Sequence, residues 1–477
     1  MNGKIKKILI LSLILGILFQ TVHSYASFTI EDEKKLGKEF YEKLGKNNVL
    51  LKNKKVNDYI SKLGNKILEQ SRKSPFDFHF SVIKSPAINA FATPGGYVYV
   101  NRGLINLVEN ESQLAGVLAH EIAHVNARHI ADIIEKSKKV SIAALAATLA
   151  GAFLGGGGQG TAAAAAFSMA TATTLNLKYS REHEEEADRL GMSYLASAGY
   201  DGMGMPDFLN IMRRYQFYSN SVPSYFLTHP GTGERIRYLD GLLQFKYTQH
   251  GSENIIGGLG RIQTILMFGE RNLDMTLKHF QDLLKKNPDN IDALYGLAVT
   301  QGKLGLTGES FTNFNKALNL SPDDEDVLRD LGISYFKIGK TYDAIAVLTK
   351  AHTLDENDAG VLLYLGRSYE AAGDYKTALN LYGKLNEKNP DDINTYYYLA
   401  MAYGKANEQG DSHYNFGVYF KKEKKLKSAL FHFKAALKYF PKYSEKGMEI
   451  QKEIDSIEQL NPSLRSIHTL RDCVTIG

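Results

Sequence analysis

The first part of the chain alternates between helical and strand-like spacing of its apolar residues. Apolar positions recur every three or four residues over Glu31 to Leu44 and over Lys54 to Gln70, which predicts two amphipathic helices. Phe76 to Ile83 begins with aromatic residues at every second position and ends in Val and Ile, a pattern typical of a strand. Tyr97 to Val100 predicts a second strand, which follows the turn signal Pro94-Gly95-Gly96.

A longer helical pattern runs from Glu111 to Ile130. Four apolar residues at helical spacing share one face of it, namely Leu114, Leu118, Ile122 and Val125. His120 and His124 lie nearly opposite that face, one turn apart, because residues four positions apart stack along a helix. The pattern therefore predicts a helix that presents two imidazoles side by side.

Residues 272–441 contain an internal repeat of 34 residues, and we assign 272–461 to a repeat array. The same step links small residues (Ala298, Gly332, Gly366, Ala400) and tyrosines (Tyr335, Tyr369, Tyr403). Pro288, Pro322 and Pro390 follow the same spacing, with Glu356 at the one position where proline is missing. Pro441 lies one and a half periods after Pro390, which predicts an extra helix around residues 391–410. This period resembles the tetratricopeptide repeat, whose helical hairpins stack into a curved solenoid with a concave binding surface.

The N-terminus predicts export. Lysines within the first seven residues precede the apolar run Ile8 to Phe19, and Ser24-Tyr25-Ala26 offers small residues to a signal peptidase. The alternative, a membrane anchor, needs about 20 apolar residues, which this run does not reach. We therefore expect cleavage after Ala26, without lipid attachment, because no cysteine lies near that position.

Composition narrows the classes of protein. A length of 477 residues predicts more than one domain. The single cysteine, Cys473, allows no internal disulfide and no thiolate metal cage, and we assign this residue no role. The net charge of +5 includes the lysines of the leader, so it gives no reason to expect a nucleic-acid partner.

The candidate chemistry lies at His120-Glu121-Ile122-Ala123-His124. Two histidines four residues apart on a helix suit two ligands of a single zinc ion. Glu121 lies about 100° around the helix, where it can act as a general base toward a water molecule and then as a proton donor to the leaving amine.

The third ligand must come from elsewhere in the chain. A different class of zinc protease would use a third histidine at position 130, where this chain has Ile130, so His129 is predicted to be a neighbouring polar residue. The best candidate is Glu184, with Asp188 one turn further on expected to accept a proton from the imidazole of His120. Alternatively, the acidic run around Glu184 is only a solvated helix face.

Three segments together resemble the M48 family of zinc metallopeptidases: Asn89 to Gly96, the His-Glu-x-x-His helix, and Ser180 to Asp188. The similarity covers about residues 28–245. It implies that Glu184 is the third ligand of one Zn²⁺ per chain. It also implies a mainly α fold, with an α+β zincin-like protease domain holding a small sheet, followed by an all-α tetratricopeptide-repeat solenoid.

These observations divide the chain into five parts. They are a signal peptide (1–26), an M48-like zinc metalloprotease domain (27–250), a linker (251–271), the repeat array (272–461) and a C-terminal tail (462–477). Residues 141–173, rich in Ala and Gly, are interpreted as two tightly packed helices joined by a loop, with a mobile lid or a membrane-touching hairpin as the alternative.

Two further groups are candidates for the site. The segment Thr228 to Ile236 also matches the family, and we hypothesise that His229 approaches the zinc, either as an oxyanion donor or in the open coordination position. The alternative is a loop histidine that caps a helix. The strand Tyr97, Val98, Tyr99 and Val100 is predicted to lie at a sheet edge and to pair with an extended substrate.

The resemblance implies a function in the cell envelope. A leader, an M48 domain and repeats in this order resemble a periplasmic protease that acts on misassembled outer-membrane β-barrel proteins, with the repeats recruiting the unfolded client or the barrel-assembly machinery. Two alternatives remain: a chaperone or scaffold with secondary proteolysis, and a processing peptidase in peripheral contact with a membrane.

Overall fold

In the computed structural model the described residues are 28–136, 145–146, 149, 178–219, 222–270 and 272–461. The chain folds as two compact units, Met1–Gly269 and Glu270–Gly477. The described residues are mainly helical with one small sheet, which confirms the predicted fold class. The signal segment 1–26, most of 141–173 and the tail 462–477 lie outside the described residues.

The first unit surrounds a three-stranded sheet with helices. Its elements are α1 (Ile30–Lys46), α2 (Lys54–Leu68), β1 (His79–Ile83), β2 (Ala90–Thr93), β3 (Tyr97–Asn101), α3 (Arg102–Leu107), α4 (Glu111–Asn126), α5 (His129–Glu135), α6 (Arg181–Ser197), α7 (Gly204–Ser219), α8 (Ser224–Thr228), α9 (Thr232–Phe245) and α10 (Leu259–Met267). The two N-terminal helices match their predicted spans closely, whereas β1 begins three residues later than the aromatic pattern indicates.

The sheet has the strand order β1-β3-β2. β3 pairs in parallel with β1 on one side and antiparallel with β2 on the other. The prediction that Tyr97, Val98, Tyr99 and Val100 form an edge strand is therefore wrong. A central strand has no free backbone groups for a substrate, because its ladder hydrogen bonds go to both neighbours.

α4 runs through the middle of the first unit. Asn110 caps its N-terminus by accepting a hydrogen bond from the backbone N–H of Gln113. Every residue from Glu111 to Val125 is buried, so the helix has no solvated face. It ends at Asn126 rather than continuing to Ile130, because Arg128 adopts a left-handed conformation with φ 57° and α5 begins at the next residue.

The predicted linker 251–271 is wrong for most of its length. α10 occupies residues 259–267 and packs against α2 and α3, and its Leu259, Ile262 and Leu266 are buried in the core of the first unit. Just before it, the buried carboxylate of Glu111 accepts hydrogen bonds from the backbone N–H groups of residues 255–257 at 2.8–2.9 Å. Most of this segment therefore belongs to the first unit.

The second unit is a row of helices. They are α11 (Leu273–Lys286), α12 (Ile291–Lys303), α13 (Thr307–Leu320), α14 (Glu325–Lys337), α15 (Thr341–Leu354), α16 (Ala359–Ala371), α17 (Tyr375–Lys388), α18 (Ile393–Lys405), α19 (Gln409–Lys422), α20 (Leu426–Ala436) and α21 (Glu445–Leu460). α12, α14, α16 and α18 start 34 residues apart, as the repeat predicts. None of the helices in the described part of the chain combines the length and apolar character that a bilayer-spanning helix needs.

The repeated small residues allow close helix approach. A Cβ atom at Gly366 would lie 2.6 Å from the ring of Tyr382 on the next helix, so any larger residue would force that ring to shift. The hairpin of α18 and α19 uses an equivalent position differently, since the Ser412 hydroxyl donates a 2.8 Å hydrogen bond to the carbonyl of Ala400.

The half-period slip has a different origin from the extra helix predicted around residues 391–410. α18 and α19 keep the 34-residue spacing from α16 and α17, so no helix is inserted. Instead α19 packs against both α18 and α20. Its Gly417 faces Phe433 of α20 as closely as the first helix of a hairpin faces its second, which starts a new hairpin half a period early.

Candidate metal centre

The two histidines of α4 converge on one point. His120 and His124 are both buried, and their Nε2 atoms lie 2.9 Å apart. α6 brings in the acidic run, beginning at Ser180, whose hydroxyl accepts a hydrogen bond from the backbone N–H of His183. A Cβ atom at Gly191 would lie 3.1 Å from the backbone of His120, so this glycine lets α6 approach α4 closely.

Four side chains can share one ion at this point. His120, His124, Glu184 and His229 each place one ligand atom within 4.8 Å of the other three, and all four are buried. The Glu184 carboxylate oxygens lie 3.5 Å and 3.6 Å from the Nε2 atoms of His120 and His124. Two or three imidazoles with one carboxylate form a donor set that suits Zn²⁺.

Glu121 and His229 stand next to this group. Nδ1 of His229 lies 3.0 Å from Oε1 of Glu184, and its Nε2 lies 3.5 Å from Oε1 of Glu121. Both carboxylate oxygens of Glu121 are buried and accept no hydrogen bond from the described residues. A buried carboxylate without such partners is costly, which is consistent with a site shaped around an ion and its water.

A second carboxylate contacts the ring nitrogen of His120 that faces away from the metal group. Oδ1 of Asp188 lies 3.0 Å from Nδ1 of His120. Arg235, on α9, donates to both oxygens of Asp188 at 2.7 Å and 2.8 Å, and its Nη1 lies 2.7 Å from Oε2 of Glu184. The sequence reasoning missed Arg235, although its position in the segment that follows His229 and the need of two buried carboxylates for a countercharge were available signals.

Aromatic rings cover the remaining faces of the histidines. Tyr179 stacks on His124 at 3.9 Å between ring centroids, and Tyr225 stacks on His229 at 4.3 Å. His129 approaches from the start of α5, where its Nδ1 lies 2.8 Å from Nδ1 of His124. His129 is not one of the four converging groups, as the sequence predicts.

Burial and charge set the protonation states. Burial raises the pKa of Glu121 and lowers the pKa of His124 well below its ordinary value. Burial alone would also raise the pKa of Glu184, but the charges of Arg235 and His229 outweigh it, and that pKa lies well below its usual range. An anionic Glu184 and a neutral His124 are the forms that bind a metal ion. Burial alone would lower the pKa of His120 too, but its hydrogen bonds to Asp188 and Glu184 outweigh burial and raise that pKa to about 9, so a metal ion would have to displace its proton.

The edge of the sheet that lies nearest the site is β2, not β3. Ala92, Thr93 and Pro94 line the same small cavity as His124 and Tyr179. In the described sheet β2 is an edge strand that pairs with β3, and all four of its residues are buried.

Comparison with known proteins agrees with this geometry. Residues 51–243 match the model of peptidase family M48, and residues 339–403 match a tetratricopeptide repeat model. The chain carries a peptidase domain of family M48. The predicted combination of an M48 metallopeptidase domain with C-terminal repeats is therefore confirmed.

Curated relatives match the M48 domain at moderate identity. The "Putative beta-barrel assembly-enhancing protease" of Vibrio cholerae is 34% identical over 213 residues, 44% of this chain and 44% of that protein. The "Beta-barrel assembly-enhancing protease" of Escherichia coli is 30% identical over 226 residues, 43% of this chain and 42% of that protein. A mitochondrial metalloendopeptidase of Schizosaccharomyces pombe is 29% identical over 186 residues, 38% of this chain and 51% of that protein.

The chain thus matches about half or less of the length of these relatives. Among solved structures, "Crystal structure of MamA" covers 36% of this chain and 98% of that chain at 24% identity, with a TM-score of 0.31.

Proposed function

We propose that the protein is a zinc-dependent endopeptidase of the bacterial cell envelope that acts in protein quality control. The observation that carries this proposal is the convergence of His120, His124 and Glu184 within 4.8 Å of one another, beside the buried carboxylate of Glu121. His120, His124 and Glu184 would hold one Zn²⁺ per chain. When bound, zinc polarises the scissile carbonyl and lowers the pKa of water.

In this proposal Glu121 is the general base. Its raised pKa suits a group that takes a proton from water and passes it to the leaving amine. Asp188 accepts the Nδ1 proton of His120 and keeps Nε2 free for the metal, and Arg235 neutralises the pair of carboxylates around it. The shared countercharge explains why two carboxylates are tolerated in a buried site.

His229 has two candidate roles. Its Nδ1 lies 3.3 Å from Nε2 of His120 and 3.0 Å from Glu184, which favours the fourth coordination position in a resting state. The alternative is that it steadies the oxyanion of the tetrahedral intermediate. In either role Tyr225, stacked on its ring, restricts the orientation of the imidazole.

The repeats and the relatives' names suggest the client. Tetratricopeptide solenoids bind other polypeptides, so the second unit would recruit the unfolded substrate or its assembly machinery. Two bacterial relatives are named as β-barrel assembly-enhancing proteases. We therefore extend the proposal to misassembled outer-membrane β-barrel proteins as substrates, to the barrel-assembly machinery as partner, and to a periplasmic location after cleavage at Ala26.

The test combines metal analysis with proteolysis by the purified full-length chain. Glu121→Gln should retain zinc but lose about 10²- to 10⁴-fold in the rate of cleavage of casein and of an unfolded outer-membrane barrel, because only the base is removed. A chelator should abolish the wild-type activity, and added zinc should restore it. Cleavage by Glu121→Gln at the wild-type rate would contradict the proposed mechanism.

Two further variants complete the experiment. Glu185→Gln, an exposed residue of the same acidic run, is the matched control and should change neither zinc content nor rate. His229→Ala separates the two roles of that histidine: loss of zinc affinity indicates a ligand, whereas a slower rate with zinc retained indicates an oxyanion donor. Preference for the unfolded barrel over casein supports the envelope function, and equal rates argue for a general protease.

A further inference from the structure

His129 lies directly behind one of the candidate zinc ligands without being a ligand itself. The left-handed Arg128 ends α4 and turns the chain, so that the first residue of α5 folds back onto the helix it has just left. As a result Nδ1 of His129 lies 2.8 Å from Nδ1 of His124. His129 is only 2% exposed, so water does not compete for this contact.

Two ring nitrogens at this distance must be one donor and one acceptor. Nε2 of His124 faces the metal group, 2.9 Å from Nε2 of His120 and 3.6 Å from Glu184. A neutral imidazole that keeps the Nε2 lone pair for a metal carries its proton on Nδ1. His124 is therefore the donor, and Nδ1 of His129 is the acceptor.

The other nitrogen of His129 completes the chain of contacts. Since Nδ1 of His129 accepts, its proton is on Nε2, and that atom lies 3.3 Å from Oε2 of Glu186. The Glu186 side chain is 46% exposed, so the contacts lead from the buried site to a solvated carboxylate. Each of the three side chains then has a partner that matches its protonation.

Stacking fixes the plane of the His129 ring. The ring of His183 lies parallel to it, at 4.4 Å between centroids and an angle of 19°. His183 is in turn held by Asp132, whose Oδ2 lies 3.0 Å from its Nε2. This packing orients the acceptor lone pair of His129 toward His124.

We propose that His129 is a positioning residue, which accepts the Nδ1 proton of His124 and so fixes the tautomer and ring orientation in which His124 binds the metal. This inference rests on the proposed function, because it assumes that His124 is a zinc ligand. The two ligand histidines are then supported in different ways: His120 by the buried, arginine-paired carboxylate of Asp188, and His124 by a neutral ring.

The test measures Zn²⁺ affinity of the full-length chain by competition with a chromophoric chelator. His129→Phe keeps a ring that can stack on His183 but removes the acceptor, and the affinity should fall about 10- to 100-fold, as for other partners of metal-bound histidines. His129→Asn places an amide oxygen near the position of Nδ1 and should recover most of that loss. Glu185→Gln, on the exposed side of α6, should bind as tightly as the wild type.

The outcomes separate the two proposals. A wild-type chain that does not bind Zn²⁺ contradicts the proposed function. A wild-type chain that binds it, with His129→Phe equally tight or with His129→Asn as weak as His129→Phe, overturns the role of His129 and leaves the proposed function standing. The NMR spectrum of ¹⁵N-histidine-labelled wild type decides the case if the phenylalanine variant does not fold: a proton on Nε2 of His129 supports the inference, and one on Nδ1 overturns it.

Discussion

The two units of the chain bury polar groups of different kinds. In the described part of the first unit the buried charged side chains are Glu33, Glu111, Glu121, Glu184, Asp188 and Arg235. In residues 272–461 the buried polar groups are hydroxyls and amides, apart from Asp326, which pairs with Arg329 at 2.9 Å. Burying charge is expensive, and four of these six groups, Glu121, Glu184, Asp188 and Arg235, surround the candidate metal centre, as expected for a site that performs chemistry.

The second unit, which we call the repeat unit, is stabilised by the close fit of its side chains and not by buried charges. The first unit is called the protease unit below. Its hairpins meet at small residues, and its buried hydroxyls are satisfied locally, as with Ser310, which donates to the carbonyl of Ala298 at 2.7 Å. The difference predicts that the protease unit is most sensitive to loss of a countercharge, whereas the repeat unit is most sensitive to added atoms.

The largest expected effect follows from removing the countercharge at Arg235. Arg235→Met keeps the length of the side chain but removes the guanidinium that pairs with the buried Glu184 and Asp188, which should destabilise the metal-free first unit by about 3–5 kcal/mol. Urea unfolding of the full-length chain, followed by circular dichroism, measures this loss.

A matched variant tests whether the loss of stability at Arg235 depends on the burial of this arginine or follows from removing any paired arginine. Arg329→Met removes an arginine from the repeat unit that is 21% exposed, compared with 7% for Arg235, and should cost clearly less. Adding Asp188→Asn to Arg235→Met should recover part of the stability, because one unpaired charge is removed. If Arg235→Met and Arg329→Met lost equal free energies of unfolding, the two units would not differ in their sensitivity to loss of a countercharge.

A second prediction concerns the buried carboxylate of Glu111. It accepts hydrogen bonds from Tyr59, Tyr200 and the backbone of residues 255–257. Burial raises the pKa of Glu111, but these hydrogen bonds outweigh it and hold the pKa below its ordinary value of 4.5. Glu111→Gln should therefore destabilise the first unit by about 1.5–3 kcal/mol at neutral pH.

The sign of the pH dependence follows from the lowered pKa. The stabilisation by Glu111 is fully present above the unfolded-state pKa and is lost as the pH falls through the lower folded-state pKa. The stability difference between wild type and Glu111→Gln should stay constant near neutrality and shrink below about pH 4.5. Urea midpoints measured from pH 7 down to pH 3 test this, and a difference that grows on acidification would contradict it.

The features that were predictable from the sequence are those with a local period. The 34-residue spacing and the four-residue spacing of His120 and His124 both survive in the structure, because each depends only on helix geometry. The place of β3 in the sheet was not predictable in this way. Its pairing with β1 skips over β2, and strand order is set by contacts that sequence spacing does not record.

The supporting residues of the site were hidden for the same reason. Arg235 lies 47 positions from Asp188, so in the sequence only its place in the segment after His229 connects it with the site. The contact between His129 and His124 depends on the left-handed conformation of Arg128. The sequence does not indicate this turn, because neither glycine nor proline occurs next to Arg128. Family resemblance is what identifies Glu184 as a ligand, because an acidic run alone is more typical of a solvated helix face.

The smallest expected effect tests the volume argument in the repeat unit. Gly366→Ala adds a Cβ atom 2.6 Å from the ring of Tyr382, whose hydroxyl is tied to Glu370 at 2.8 Å and leaves the ring little room to move. Overpacking should outweigh the better helix propensity of alanine and destabilise the repeat unit by about 1–2 kcal/mol.

Gly383→Ala is the matched control within the same hairpin. Gly383 lies inside α17, and a Cβ atom there would have no neighbouring atom within 4 Å, so alanine should stabilise the helix by about 0.5–1 kcal/mol. Opposite shifts of the thermal midpoint, with zinc content and cleavage of casein unchanged in both variants, would show that packing volume alone governs this unit. If both variants shifted the thermal midpoint in the same direction, Tyr382 would be able to move aside. Only the variants at Arg235 and Arg329 would then distinguish the protease unit from the repeat unit.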